Sequence, residues 1–259
     1  MIKDYHMHPT VFKCTDEEFD LYVKKALSLG IEEIGISDHM PLSCAPASDR
    51  IPDGMIELYK ERAFRFKEKY KDIISIKLGI EVDYHPSLEK EIEAVLKCGD
   101  FDYVIGSSHM HVIPDIFAKC DTQNKYAAAL LENNHAAVKS GYFDIIAHFD
   151  MYKWIFSLPQ RFPLIDDGYS DDYHAETIDI VLSAMKASNV KLELNAHFAE
   201  GSDNLDRMYP SRYITKSALE MGVGFSYGSD AHKADSVGAM LSLIHDDELY
   251  SKAIKTFEY

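Results

Sequence analysis

The chain has 259 residues, 46% hydrophobic and 27% charged, with a formal net charge of −16. This composition supplies one sizeable core and argues against disorder, and the acidic balance excludes a general affinity for DNA, RNA or anionic membrane surfaces. A small phosphate ester is compatible with it if local positive charge, most readily from metal ions, offsets the acidic surroundings.

The four cysteines, Cys14, Cys44, Cys98 and Cys120, show no C-x-x-C spacing, so neither a disulfide framework nor a zinc knuckle is expected. The opening MIKDYHMHPT lacks the apolar segment of a signal peptide, and no run approaches the ~20 apolar residues of a membrane span. A cytoplasmic protein is expected, folded as a single domain over residues 1 to 259; the sequence is silent on oligomeric state.

In chain order, short β-favouring runs alternate with amphipathic stretches. The strand candidates cover 2 to 8, 32 to 39, 74 to 84, 102 to 111, 143 to 150, 190 to 197 and 224 to 232. The first helix is announced by Thr15 and Glu18 in capping-box spacing, with Gly30 as its stop. Further helices are expected over 53 to 71, 87 to 97, 123 to 139, 171 to 188, 211 to 221 and 236 to 245. Strand and helix in regular alternation predict parallel strands with helical crossovers, and the favoured architecture is a seven-stranded β/α barrel. An open doubly wound sheet is the alternative.

Nearly every strand ends in histidine or carboxylate, and in a barrel these C-terminal ends converge on one face. His6 and His8 end the first, two apart and therefore on one side of the pleat. Asp38 and His39 end the second, Glu81 and Asp83 the third, His109 and His111 the fourth, His148 and Asp150 the fifth. Asn195 and His197 end the sixth, and Asp230 and His232 the seventh, with Gly228 just before them. One such residue alone would ordinarily be a solvated loop group or a helix cap. Capping does not select histidine repeatedly, however, and imidazole with carboxylate is what zinc, iron or manganese requires. The donors are too many for one ion, and two or three divalent ions sharing a carboxylate suit the hydrolysis of a phosphate ester.

The ordered series DYHMH, SDH, GIEVDY, SSHMH, IAHFD, LELN and GSDAH, spread over nearly the whole chain, resembles the polymerase and histidinol phosphatase (PHP) family. The resemblance implies a distorted seven-stranded TIM-like barrel holding three metals. It places His6, His8, Glu81 and Asp230 on one ion and Glu81, His109 and His148 on a second, with Glu81 bridging. His39 and His232 would hold a third, with Cys14 where members often have a further histidine.

Stand-alone members of this length, with a Tyr209-Pro210-Ser211 segment, imply hydrolysis of L-histidinol phosphate to L-histidinol and phosphate in histidine biosynthesis. The sequence departs from them after Asn195, where a Gly-Leu-Arg segment is replaced by Ala196-His197-Phe198-Ala199-Glu200. Lys153, Arg161, Arg207 and Arg212 are the candidate phosphate contacts in place of that arginine. A nucleotide or another small phosphate ester is the alternative substrate. A polymerase-associated exonuclease is disfavoured by the net charge and the lack of a basic strip. The expected mechanism is in-line attack by a metal-bound hydroxide, with His111, His197 or Asp83 protonating the leaving oxygen and Asp38 and Asp150 orienting imidazoles. Phe12, Trp154, Phe198 and Tyr209 are candidates to pack on a substrate imidazole.

Overall fold

A computed structural model describes residues 2–44, 50–109 and 119–256 of the chain. Its strands are β1 (Ile2–Asp4), β2 (Ile31–Ile36), β3 (Ser75–Asp83), β4 (Tyr103–Ser107), β5 (Ile145–Ile146), β6 (Lys191–Asn195) and β7 (Phe225–Gly228). They lie side by side in chain order, every neighbouring pair parallel. The two ends of the series also meet. Tyr5 N donates to Tyr227 O at 3.1 Å, Asp230 N to His6 O at 2.7 Å and His8 N to Ala231 O at 2.9 Å. These bonds close the sheet into a barrel and dispose of the open-sheet alternative.

Helices α1 (Asp16–Ser28), α2 (Ile56–Tyr70), α3 (Glu89–Cys98), α4 (Gln123–Ser140), α5 (Tyr152–Phe156), α6 (Ala175–Ser188), α7 (Arg212–Met221), α8 (Leu241–Asp246) and α9 (Glu248–Lys255) are the α-helices among the described residues. The capping box at α1 forms as the spacing requires: Glu18 N donates to Thr15 Oγ1 and Thr15 N to Glu18 Oε2, an arrangement worth ~1 kcal/mol. The expected helix over 236 to 245 begins only at Leu241, because Met240 adopts a left-handed φ of 63°. Two helices, α5 and α9, were not expected from the sequence.

The strand β3 shows how the barrel divides its residues. Ile76, Leu78, Ile80 and Val82 are buried in the main core, toward the helices, where Tyr59 of α2 bonds Gly79 O at 2.7 Å. Gly79, Glu81 and Asp83 alternate onto the other side. Tyr103 stands opposite Gly79 in register, and its ring crosses the neighbouring strands to reach Tyr5 O at 2.5 Å. A Cβ at Gly35 or Gly79 would lie 1.9 or 2.2 Å from Tyr103, so both positions admit only glycine. Tyr103, Tyr5, Ile105, Ile145 and Ala147 form a small apolar cluster of their own.

The strands are shorter than expected at their C-terminal ends. The run 2 to 8 is regular only to Asp4, and 143 to 150 contributes two residues. After β5 and β7 the reason is local: His148 has φ 28° and Asp230 φ 52°, values outside the β region. These residues leave the ladder and turn their side chains toward one another.

Candidate active site and metal centre

Glu81 is fully buried and sits between two pairs of histidines. Its Oε2 lies 3.2 Å from His6 Nε2, 3.3 Å from His8 Nε2 and 2.8 Å from His39 Nδ1. Its Oε1 lies 3.1 Å from His148 Nε2 and 3.9 Å from His109 Nε2. Asp230 Oδ1 lies 3.2 Å from His8 Nε2. Despite these short separations, His6 Nε2, His8 Nδ1 and Nε2, His39 Nδ1 and Glu81 Oε2 are buried without a hydrogen bond. Orphaned buried polar atoms are costly. Here they approach without hydrogen-bond angles, as expected where lone pairs are aimed at a shared third point.

Five groups of donor atoms lie within 4.8 Å of one another: His6, His8 and Glu81; Glu81, His109 and His148; His8, His39 and His232; His39, Asp83 and His109; His197, Asp230 and His232. A mixed nitrogen and oxygen set of this kind suits zinc, iron or manganese. Eight of the nine residues named as metal ligands from the sequence are therefore together, with Glu81 facing both halves. Cys14 is the exception. It is buried, its thiol is pushed up to about 11 by burial, and it belongs to none of these groups. It lines a second depression with Pro9 and Tyr22 that borders the cleft at His232 and Lys233.

Other side chains fix the donors. Glu193, fully buried, accepts from His6 Nδ1 at 2.6 Å, His148 N at 3.0 Å and Asn195 Nδ2 at 2.9 Å. A carboxylate ringed by donors makes His6 carry its proton on Nδ1, which leaves the Nε2 lone pair facing Glu81. A Cβ at Gly228 would meet Glu193 Oε1 at 2.1 Å, so the glycine makes room for this carboxylate. Asp83 does the same for His109, accepting from its Nδ1 at 2.7 Å, and is itself held by Arg50 Nη2 at 2.6 Å. Asp83 is thus enclosed by an imidazole and a guanidinium rather than placed to give a proton to a leaving group. Glu193 and Arg50 were not singled out in the sequence. Glu193 shares a strand face with Asn195, a signal that parity offers; Arg50 carries none.

Among the described residues, Asp38 and Asp150 bond backbone amides rather than imidazoles. Asp38 accepts from Thr10 N and Val11 N, both at 2.8 Å, and Asp150 from Ser211 N at 2.8 Å. Each anchors a loop at the rim, and burial pushes both carboxyls up to about 6.

Electrostatics separates the histidines. Burial disfavours every charged ring, but Glu193, Asp230 and Glu81 outweigh it at His6, which is held well above the usual range, so that a metal ion binding at Nε2 would displace a proton from it. The same contest, against Asp230 and Glu81, raises His8 to about 9. At His39 and His232 burial prevails and the pKa falls to about 4. Burial opposes ionisation of Glu81 and Asp230 too, yet the surrounding imidazoles hold both well below the ordinary carboxylate range.

The cluster opens into a cleft of about 590 Å³, walled by His39, His109, His148, His197, His232, Asp230, Met151, Trp154, Phe198, Tyr209, Glu200, Arg207 and Lys233. A depression of about 660 Å³ at the other ends of β2 and β3 gathers Lys67, Asp72 and Ser75 but none of the donor groups. Of the four cations named from the sequence, Arg207 alone lines the cleft, stacked 4.6 Å over Phe198. Lys153 donates to Met208 O at 2.7 Å and Asp206 O at 3.1 Å, tying down the loop after β6. Arg161 packs on Trp154 and Phe162, and Arg212 pairs with Asp247 at 2.8 Å. Lys233 was missed. Trp154, Phe198 and Tyr209 are cleft residues, whereas Phe12 O accepts from Arg62 elsewhere. His197 lines the cleft with Nδ1 3.1 Å from Asp230 O; His111 lies outside the described residues.

A parallel barrel with imidazoles and carboxylates gathered at the C-terminal ends of its strands defines a metal-site barrel of the hydrolase type. The chain belongs to the PHP domain family, whose model matches residues 4–197. It is 28% identical over 251 residues to a Deinococcus radiodurans protein named "Probable histidinol-phosphatase", covering 91% of this chain and 88% of the relative. HisK of Listeria monocytogenes superposes with a TM-score of 0.78 at 20% identity, covering 93% of this chain and 99% of that one. The histidinol phosphate phosphatase of Lactococcus lactis, solved with zinc, L-histidinol and phosphate, gives a TM-score of 0.73 at 23% identity over 97% of this chain and 93% of its own. No helix among the described residues is long and apolar enough to cross a membrane.

Proposed function

We propose that the protein is a divalent-metal-dependent phosphomonoesterase that hydrolyses L-histidinol phosphate to L-histidinol and phosphate. The observation that carries this reading is Glu81, whose two oxygens face His6 and His8 on one side and His109 and His148 on the other, amid buried atoms without hydrogen bonds. The names of the relatives and the product ligands of the Lactococcus lactis structure support the substrate.

His6, His8, Glu81 and Asp230 would hold one ion, Glu81, His109 and His148 a second, and His39 and His232 a third. Such ions supply Lewis acidity toward phosphoryl oxygens and activate water near neutral pH. The chain's own groups do the rest. Glu193 and Asp83 hold the Nδ1 protons of His6 and His109 and fix the ring orientations, so that each ring keeps Nε2 for an ion. Arg207 and Lys233 bring positive charge to the cleft and draw the phosphate dianion in against the acidic background. His197 donates Nδ1–H to Asp230 O, and in its imidazolium form it can pass the Nε2 proton to the departing alkoxide.

Phosphate release from L-histidinol phosphate, beside nucleotide and sugar phosphates, tests the proposal on protein of measured metal content. Turnover of histidinol phosphate, lost on chelation and in Asp230→Ala, is expected. Metal-dependent turnover of other esters but not this one would refute the substrate, and no turnover by metal-loaded protein would refute the enzymatic reading.

A further inference from the structure

Two charges of the cleft stand apart from the donor groups around Glu81. Glu200, on the loop after β6, and Lys233, on the loop after β7, both line the cleft, and Lys233 Nζ lies 2.7 Å from Glu200 Oε1. The other carboxylate of the lining is Asp230, which stands among the histidines within 3.2 Å of His8 Nε2. Glu200 is therefore the lining carboxylate that joins none of the donor groups found among the described residues. The two partners are unequally enclosed: the Glu200 side chain is 31% exposed and that of Lys233 66% exposed.

An ion pair this exposed is held weakly, because water solvates both ends well. The lysine ammonium sits on a flexible four-carbon stem and regains hydration when it swings away, whereas the more enclosed carboxylate stays. A ligand that brings its own ammonium, anchored by a second attachment at the histidine cluster, competes with Lys233 on favourable terms, since its effective concentration at Glu200 is high. A phosphate dianion at that cluster also gives the displaced Lys233 a new partner. One internal pair, plus to minus, is thus matched by one substrate carrying minus and plus.

We infer that Glu200 reads the leaving group: it takes a primary ammonium in place of Lys233 and selects phosphate esters that carry such an ammonium a few bonds from the ester oxygen. The inference rests on the phosphomonoesterase reading, because the phosphate must be anchored at the histidines for the ammonium to reach Glu200. Trp154, Phe198 and Tyr209 supply the apolar part of the same wall.

The test compares binding of L-histidinol with that of 3-(imidazol-4-yl)propan-1-ol, which lacks only the amine, to metal-loaded protein by calorimetry at neutral pH, each in saturating inorganic phosphate so that the anion site at the histidines is filled and Lys233 has its alternative partner. A charge-assisted hydrogen bond predicts that the wild type prefers the amine by about tenfold. Glu200→Gln is expected to bring this preference below about twofold, and Lys233→Met to raise it by removing the internal competitor. The ratio is read on one protein sample, so a general loss of fold or metal, which weakens both ligands, does not imitate the effect. An unchanged preference in Glu200→Gln, or no preference in the wild type, overturns the inference. Phosphate release with a preference that survives Glu200→Gln removes this inference and leaves the enzyme. A Glu200-dependent preference without phosphate release from any ester does the reverse.

Discussion

Glu193→Gln is the perturbation that most directly examines how the donors are held. The substitution keeps size and shape but replaces one acceptor oxygen by an NH2 donor. Glu193 receives three donors: His6 Nδ1 at 2.6 Å, His148 N at 3.0 Å and Asn195 Nδ2 at 2.9 Å. If the glutamine keeps its oxygen toward His6, its NH2 group faces His148 N and Asn195 Nδ2, donor against donor. If it turns over, His6 must accept at Nδ1, and its proton moves to Nε2, the atom that faces Glu81. Either orientation harms the site. Two buried donors left without acceptors cost about 1–3 kcal/mol each. For a chain of this length the melting temperature should fall by roughly 5–15 °C. Loss of the orienting carboxylate should weaken metal binding by about 10- to 100-fold. Chelator competition followed by elemental analysis measures the affinity, and calorimetric melting of metal-free and metal-loaded protein measures the stability. A Glu193→Gln protein that melts with the wild type and holds metal as tightly would refute the role assigned to this carboxylate.

Three further outcomes follow from the geometry. Asp4 is fully buried, accepts from Ser229 N at 2.9 Å and Gly238 N at 3.2 Å, and is raised by burial to about 6. Its folded pKa exceeds the unfolded one, so the wild type loses roughly 3 kcal/mol from this group as pH rises from about 4 to about 6. Asp4→Asn lacks that titration, and its stability deficit against the wild type should narrow over the same window in denaturant unfolding; a constant gap would contradict the assignment. Cys14→Ser should leave metal stoichiometry unchanged and cost about 1 kcal/mol for a hydroxyl in a buried thiol's place, and loss of an ion on elemental analysis would make the thiol a ligand after all. Arg207→Ala should lower kcat/KM for the phosphate ester by about tenfold while Arg161→Ala stays within about twofold, and equal losses would return Arg161 to the cleft.

The barrel was legible because its signal is repeated. Seven apolar runs, each followed by a helical stretch, leave few topologies open, and β3 even shows the two faces in its letters, with Ile80 and Val82 alternating against Glu81 and Asp83. The limits of the strands were not legible. His6, His148 and Asp230 follow β-favouring residues but belong to the site, and at His148 and Asp230 the backbone takes positive φ to deliver them. Alternation along a strand carries no mark of the residue at which the ladder gives way.

The donors and their supports differ in the same way. His6 and His8, or Asp230 and His232, are chemically distinctive and recur at equivalent places, so their convergence followed from the barrel itself. The cations could not be placed by that reasoning, because order along a loop does not fix direction. Lys153 follows the fifth strand, as a phosphate ligand could, but the carbonyls of Asp206 and Met208 lie within 3.1 and 2.7 Å of its ammonium. Those contacts hold the lysine to the loop that carries Arg207, so its effect on substrate is exerted through the place of that arginine. Lys233 gave no such warning in the sequence beyond following His232 directly. The loop after β7 brings it to the cleft with His232, and Glu200 gives its charge a partner there. The positive charge of this cleft therefore comes from loops whose positions the barrel ends determine, and the negative charge that balances it comes from the same loops.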